Sequence, residues 1–381
     1  MRHSGDRILT THVGSLPRSQ ALVDVLLRKD RGEVLDPAEY DRTIAAAVDD
    51  TVAKQKAAGI SIVSDGEQSK VSYSTYMMDR LTGFGGDNER RVAADLKDYP
   101  EFRQKMARMT GAQEFRRSSC IAPVEVKDLR PLAADIEHLE TAAQAHGVEE
   151  AFLNSASPGL VTAFQPNKYY PTHEAYLDAV ADAMAEEYRI IIASGLLLQL
   201  DCPDLAMAAH IAFQDLSETE FLRRAMHHVD AMNHALEGIP ADRVRMHVCW
   251  GNYEGPHDHD IAVEKLFPIL AKAKPQAILF EGANARHEHE WAAWKNAKGL
   301  DDKILVPGMI DTCSNYVEHP ELVAQRIERW VAIAGRERII AGTDCGFGTF
   351  AGYGKLDGGI AYKKLRALAE GAAIASERMK R

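Results

Sequence analysis

Eight short apolar runs recur along the chain, most of them followed by a segment of helical period, and no Gly/Pro/Ser-rich linker separates them. That alternation restricts the fold more than any other feature. "RILTTHVGS" (7–15) reads as the first strand, with a helix at about 38–58, and "ISIVSDGE" (60–67) as the second. "EAFLNSASPG" (150–159) leads to a helix over roughly 173–194, "LLLQLDCPD" (196–204) to one near 217–236, and "RVRMHVCWG" (243–251) to one near 260–273. "QAILFEGAN" (276–284) leads to "HEHEWAAWKNA", "KILVPGMIDT" (303–312) to a helix near 319–334, and "RIIAGTDCGFG" (338–348) to one near 358–379. Unbroken apolar runs such as "LLLQL" and "AILF" suit parallel strands covered on both faces. Eight such βα units predict an α/β fold of the (β/α)8, or TIM, barrel type. Residues 1–381 are expected to form a single domain, with an inserted segment at about 68–149 after the second strand. That segment contains "LTGFGGDNERR", a charged helical stretch near 95–109 and a strand or hairpin in "EFRRSSCIAPVEV". It is expected over the barrel mouth.

The strand ends are polar and reactive: Thr11, His12 and Ser15, then Asp65 and Glu67, Asp201 and Cys202, His247 and Cys249, Glu281, Asp311 and Cys313, Asp344 and Cys345. A barrel gathers its carboxyl strand ends on one face, where residues distant in sequence meet. His247 and Cys249 stand at i and i+2, so a strand sends both to the same side. With Glu281 and Cys345 they offer one imidazole, two thiolates and a carboxylate, a donor set suited to tetrahedral Zn²⁺. The competing reading of each alone is a buried free cysteine or an ordinary strand residue. "HDHD" (257–260) and "HEHE" (287–290) lack metal-ligand spacing and are expected to be solvated helix-start residues. The glycines of "GFGTFAGYG" (346–354) are expected to serve tight backbone turns near Cys345.

A net charge of −11 argues against nucleic acid or an anionic membrane as partner. No apolar run approaches the ~20 residues of a membrane span, and "MRHSGDRILTTHVGS" has no signal-like apolar stretch, so a cytoplasmic location is expected. Five cysteines, an odd number thinly spread, argue against a disulfide framework and leave thiols for packing, metal or catalysis.

At "TTHVGSLPR", "SDGEQ", "LQLDCPD", "RMHVC", "FEGAN" and "GTDCGFGT" the chain resembles the C-terminal catalytic barrel of cobalamin-independent methionine synthase and its single-barrel relatives, which include epoxyalkane:coenzyme M transferase. The resemblance implies zinc ligands at His247, Cys249, Glu281 and Cys345, and binding of an amino-acid thiol by Ser15, Glu67 and Asp201. It implies a zinc-dependent transferase that alkylates a small thiol, most simply by methyl transfer to a homocysteine-like acceptor, as in methionine biosynthesis. Opening of an epoxide by the bound thiol, a carbon–sulfur bond-forming lyase activity, is the alternative. Where the long synthases carry a histidine after the seventh strand, this chain has Asp311-Thr312-Cys313-Ser314, and their tryptophan-bearing folate segment is not recognisable in "SPGLVTAFQPNKYY" (157–170). The alkyl donor, methyl-folate-like or epoxide, and the acceptor thiol therefore stay open, as does homo-oligomerisation.

A carboxylate is the easiest ligand to release, so Glu281 is expected to exchange while His247, Cys249 and Cys345 stay. A proton donor is also required. Candidates are Tyr73, Tyr76, Tyr169, Tyr170, His12 and His173, with Asp311 placed to orient one of them. Two further classes compete: a metal-free barrel lyase or decarboxylase with structural cysteines, and a non-catalytic thiol- or metal-binding barrel.

Overall fold

A computed structural model describes residues 1–86, 88, 91–110, 118–354 and 356–380. Eight strands form one parallel sheet: β1 (Leu9–Thr10), β2 (Val63–Ser64), β3 (Ala151–Ala156), β4 (Leu197–Asp201), β5 (Val244–His247), β6 (Ala277–Phe280), β7 (Ile304–Ile310) and β8 (Ile340–Thr343). Their spatial order follows the chain from β2 round to β8, with β1 beside β8. The two ends of this order meet where Ser61 N and Ile62 N donate to Thr10 O at 3.1 and 3.0 Å. The sheet curls into a TIM-barrel-like α/β fold.

Helices surround it: α1 (Gln20–Asp30), α2 (Pro37–Ala58), α3 (Ala94–Asp98), α4 (Pro100–Thr110), α5 (Arg130–Ala145), α6 (Pro158–Phe164), α7 (His173–Ala193), α8 (Glu218–Ala235), α9 (Val263–Lys272), α10 (Trp291–Trp294), α11 (Pro320–Ala334) and α12 (Gly358–Arg378). Their boundaries follow local chemistry. α2 starts at Asp36, whose side chain accepts from Ala38 N, and stops at Gly59 with φ 88°. α8 starts with a capping box between Ser217 and Glu220. Among the described residues no helix is long and apolar enough to cross a membrane.

The strands divide their side chains between two apolar layers. Leu9, Ile62, Phe152, Leu197, Leu279, Val306 and Ile340 fill the barrel axis. Leu153, Leu198, Leu200, Met246, Ile278 and Phe280 face the helices. This two-sided burial is why the strands read as unbroken apolar runs.

The stretch expected as an insertion at 68–149 is mixed. It contains α3, α4 and a two-stranded antiparallel ribbon pairing Phe84–Gly85 with Ser119–Cys120. Its last part, α5, packs against α2 and β3 as an outer barrel helix. Residues 87, 89, 90 and 111–117, including the start of the expected "EFRRSSC" strand, lie outside the described residues.

Candidate functional site

The carboxyl ends of the strands open into a cavity of about 690 Å³. Ser15, Glu67, Asp201, His247, Cys249 and Cys345 all line it, beneath apolar side chains that include Leu96 and Met106 of α3 and α4. In β5, Val244 and Met246 face the helices, so Arg245, His247 and then Cys249 turn inward. β8 reaches the same place by a different route. Ile340 lies in the axial layer, so strict alternation would bring Asp344 inward and turn Cys345 out. A register shift between Gly342 and Thr343 breaks the alternation. Cys345 thereby lines the cavity, and Asp344 turns to the loop after β6.

His247, Cys249 and Cys345 are buried, and a ligand atom from each lies within 4.8 Å of the others. The two Sγ atoms are 3.8 Å apart. His247 Nδ1 lies 3.4 Å from Asp201 Oδ1, while its Nε2 is buried without a hydrogen-bond partner. The hydrogen bond with Cys249, then burial and the charges of Cys249 and Glu281, push the Cys345 thiol well above its usual range. Two sulfurs this close cannot both ionise without a cation between them. The unpartnered imidazole nitrogen and the paired thiols fit a thiophilic divalent ion such as zinc.

Glu281 is not part of this trio. Its Oε1 accepts Trp250 N at 2.8 Å and its Oε2 accepts Asn284 Nδ2 at 2.7 Å, so both oxygens are held away from the sulfurs. Asp311 does not line the cavity. Its N–H donates to Glu318 Oε1 and its Oδ1 accepts Cys313 N, each at 2.9 Å, so it braces its own loop and orients no proton donor at the cavity.

Glu67 sits in the left-handed region at φ 54° and is 2% exposed, with Oε2 unpartnered. Burial raises its pKa to about 7, with Lys70 opposing and Asp201 adding to the rise. Asp201 accepts Asn154 Nδ2 at 3.1 Å through Oδ2. Ser15 approaches the backbone of Gly346 so closely that a Cβ there would lie 2.0 Å from Ser15 Oγ, which bears out the reading of these glycines as backbone requirements.

Of the candidate proton donors, Tyr73 and His173 line the cavity. The others serve structure. Tyr76 donates to Glu187 Oε1 at 2.8 Å and accepts Ala156 N at 2.8 Å. Tyr170 accepts Val124 N through its hydroxyl, Tyr169 is half-exposed, and His12 Nε2 is bound to Gln55 Oε1 at 2.7 Å.

Two supporting residues were given no role by the sequence, although Asp344 stands among its polar strand ends. Asp344 accepts Gly282 N and Ala283 N through Oδ1 and Asn284 N through Oδ2, all at 2.8 Å, and so shapes the turn that carries Glu281 and Asn284. Asn252 donates to Gly346 O at 2.8 Å and accepts Thr312 Oγ1 at 3.1 Å, tying the β5, β7 and β8 ends together. In sequence it is only a turn asparagine.

The reading of "HDHD" and "HEHE" as solvated helix starts is overturned for half of each. His257 and His287 are buried; His257 Nδ1 and His287 Nε2 lie 3.0 and 3.1 Å from Asp260 Oδ2, and His287 Nδ1 lies 3.0 Å from Glu290 Oε2. α9 begins only at Val263, and the turns before it fold inward. Burial opposes charge on His287, but Asp260, Glu290 and Glu281 outweigh it and raise its pKa to about 10.

Residues 8–99 match the catalytic-domain family of cobalamin-independent synthases. Methionine synthase of Saccharolobus solfataricus is 24% identical over 98% of this chain and 96% of its own length. That of Sulfurisphaera tokodaii is 25% identical over 97% and 93%. Over nearly its whole length the chain is thus similar to methionine synthases, and residues 8–99 to the cobalamin-independent synthase catalytic domain. Among solved structures, a B12-independent methionine synthase from Shewanella sp. W3-18-1 in complex with selenomethionine superposes with a TM-score of 0.74 at 20% identity, covering 98% of this chain and 99% of the other. A putative vitamin-B12 independent methionine synthase from Listeria monocytogenes gives 0.66 at 18%, covering 97% and 98%. At that identity the likeness speaks for the fold, and it is the fold of the cobalamin-independent methionine synthases.

Proposed function

We propose that this chain is a zinc-dependent methyltransferase that methylates a homocysteine-like thiol. The observation that carries this reading is the meeting of His247, Cys249 and Cys345 in the wall of a cavity that Glu67 and Asp201 also line. Bound zinc would supply the positive charge that deprotonates a thiol of pKa ~8.5 and holds its sulfur as a nucleophile.

The chain's own residues supply the rest. Asp201 fixes the His247 tautomer so that Nε2 offers its lone pair. Cys249 and Cys345 are the sulfur ligands. Glu281, whose oxygens accept Trp250 N and Asn284 Nδ2, would be the exchangeable fourth ligand. The unpartnered Oε2 of Glu67 is an acceptor for an ammonium group, which would return this carboxyl to its charged form. Ser15 shapes the same wall. A sulfonate-bearing thiol would meet the charges of Glu67 and Asp201, so nothing here favours the epoxide reading. The apolar lining supplied by α3 and α4 would suit the methyl donor.

The test is metal analysis together with turnover on homocysteine and a methyl donor, methyl-tetrahydrofolate first. About one zinc per chain, lost in Cys345→Ser along with methionine formation, is expected. A fully active zinc-free preparation would overturn the reading in favour of a metal-free barrel enzyme. Stoichiometric zinc with no turnover on any donor would favour a binding protein.

A further inference from the structure

A second group of ionisable side chains reaches the cavity and has no part in the metal site. His173 opens α7 and lines the cavity. Its Nε2 lies 2.9 Å from Nε2 of His228 on α8. Nδ1 of His228 lies 3.0 Å from Asp204 Oδ2, and Asp204 Oδ1 accepts the Ser157 hydroxyl at 2.7 Å. His228 is 1% and Asp204 2% exposed. The backbone makes room for this arrangement. Gly159 lies inside α6, where a Cβ would stand 2.0 Å from Asp204 Oδ2 and 2.5 Å from His228 Nδ1. The missing Cβ is what lets the carboxylate and imidazole meet.

The hydrogen bonds fix the direction of the chain. An ionised carboxylate only accepts, so His228 Nδ1 carries the proton facing Asp204. Neutral His228 then has its lone pair on Nε2, and His173 Nε2–H must be the donor to it. The lone pair of His173 is left on Nδ1. A proton arriving there sends the Nε2 proton on to His228 Nε2. The positive charge comes to rest on the buried imidazole, against Asp204. Burial, followed by His228, Arg224 and His227, lowers the pKa of His173 to about 3, so at neutral pH it stays uncharged and can pass a proton inward but not keep it. The other charges facing the pair are Arg224 and His227 on α8 and Glu174 beside Arg224. Asp204 is the carboxylate that binds the pair directly.

We propose that His173, His228 and Asp204 form the proton relay of this cavity, taking up the proton that the thiol gives up on binding and returning it to the leaving group of the methyl donor. The inference rests on the function proposed above. The balance closes: the S–H proton goes to His173, an equivalent proton is held on His228, a methyl–sulfur bond forms as the methyl–donor bond breaks, and the departing donor takes the proton.

The experiment counts protons released per homocysteine bound, using the full-length zinc-loaded protein in weak buffer at about pH 7 with a pH indicator, donor absent. Wild type should release well under one proton. His228→Gln and His173→Gln should release close to one, with unchanged zinc content. With donor present, both variants should lose about 100-fold in kcat with little change in KM. His173→Gln, at a partly exposed position, carries the test alone if His228→Gln does not fold. Equal release in wild type and variants overturns the relay and leaves the thiol site standing. No homocysteine binding by the wild type overturns the site reading and removes the relay's proton source with it.

Discussion

Individual residues of the same type do opposite things here, and their partners decide which. His12 and His247 both follow apolar strands, yet His12 is bound on both ring nitrogens, by Gln55 and by Gly14 N, whereas His247 keeps Nε2 free. Burial lowers the His12 pKa to about 4, with Gln55 opposing and Arg245 assisting. Its unfolded pKa is 6.5, so the unfolded chain binds the proton first. The stability from burying neutral His12 is present above that value and fades as pH falls towards about 4. Up to about 3 kcal/mol is at stake across that window. Urea denaturation from about pH 7.5 to 4 should show a shallower loss in His12→Gln than in wild type, and parallel curves would exclude His12 as a source of acid sensitivity.

At the scale of elements, the site depends on one irregularity. The register shift in β8 turns Cys345 to the cavity, and the next residue, Gly346, lets the chain pass against Ser15. In Gly346→Ala the added Cβ, 2.0 Å from Ser15 Oγ, must displace the Ser15 hydroxyl and crowd the loops that follow β1 and β8. A loss of about 1–3 kcal/mol is expected, typical of an overpacked site, together with weaker zinc retention. Denaturation midpoints and dialysis against a chelator would measure both, and a variant unchanged in each would show that the two strand ends can part freely. The turns carrying His257, Asp260 and His287 teach a related point. Their polarity reads as exposure, but they fold inward because each partner satisfies the next.

Across the whole molecule, a buried ion cluster joins the stretch after β2 to the barrel's outer helices. Arg80 Nη2 lies 2.5 Å from Asp135 on α5 and Nη1 lies 2.8 Å from Glu187 on α7, with all three side chains under 10% exposed. Arg80→Met would strand two buried carboxylates and should cost about 3–5 kcal/mol, whereas Arg28→Met, in an exposed pair with Glu33, should cost under about 1 kcal/mol. Equal urea midpoints for the two variants would show that the cluster does not hold this stretch down. On this basis we propose that residues 1–381 work as one barrel domain. The eight strands and the inward-facing His247 and Cys249 were legible in the chain because periodicity and strand parity are local properties, whereas strand parity would have turned Cys345 outward and only the register shift in β8 brings it to the cavity. α1, α5 and α6 were not picked out, since the first lies between the opening strand and the longer helix assigned to it and the others begin inside stretches read as insertion or turn. The sequence alone determined the barrel and the kinds of polar side chain gathered at its mouth, because each strand records which of its faces is buried. Only the tertiary structure decided that Glu281 is drawn aside by Trp250 and Asn284, that Asp311 braces a loop, and that His173 meets His228. Those outcomes depend on hydrogen-bond partners brought together by folding and on the desolvation they share, neither of which leaves a mark on neighbouring residues in the chain.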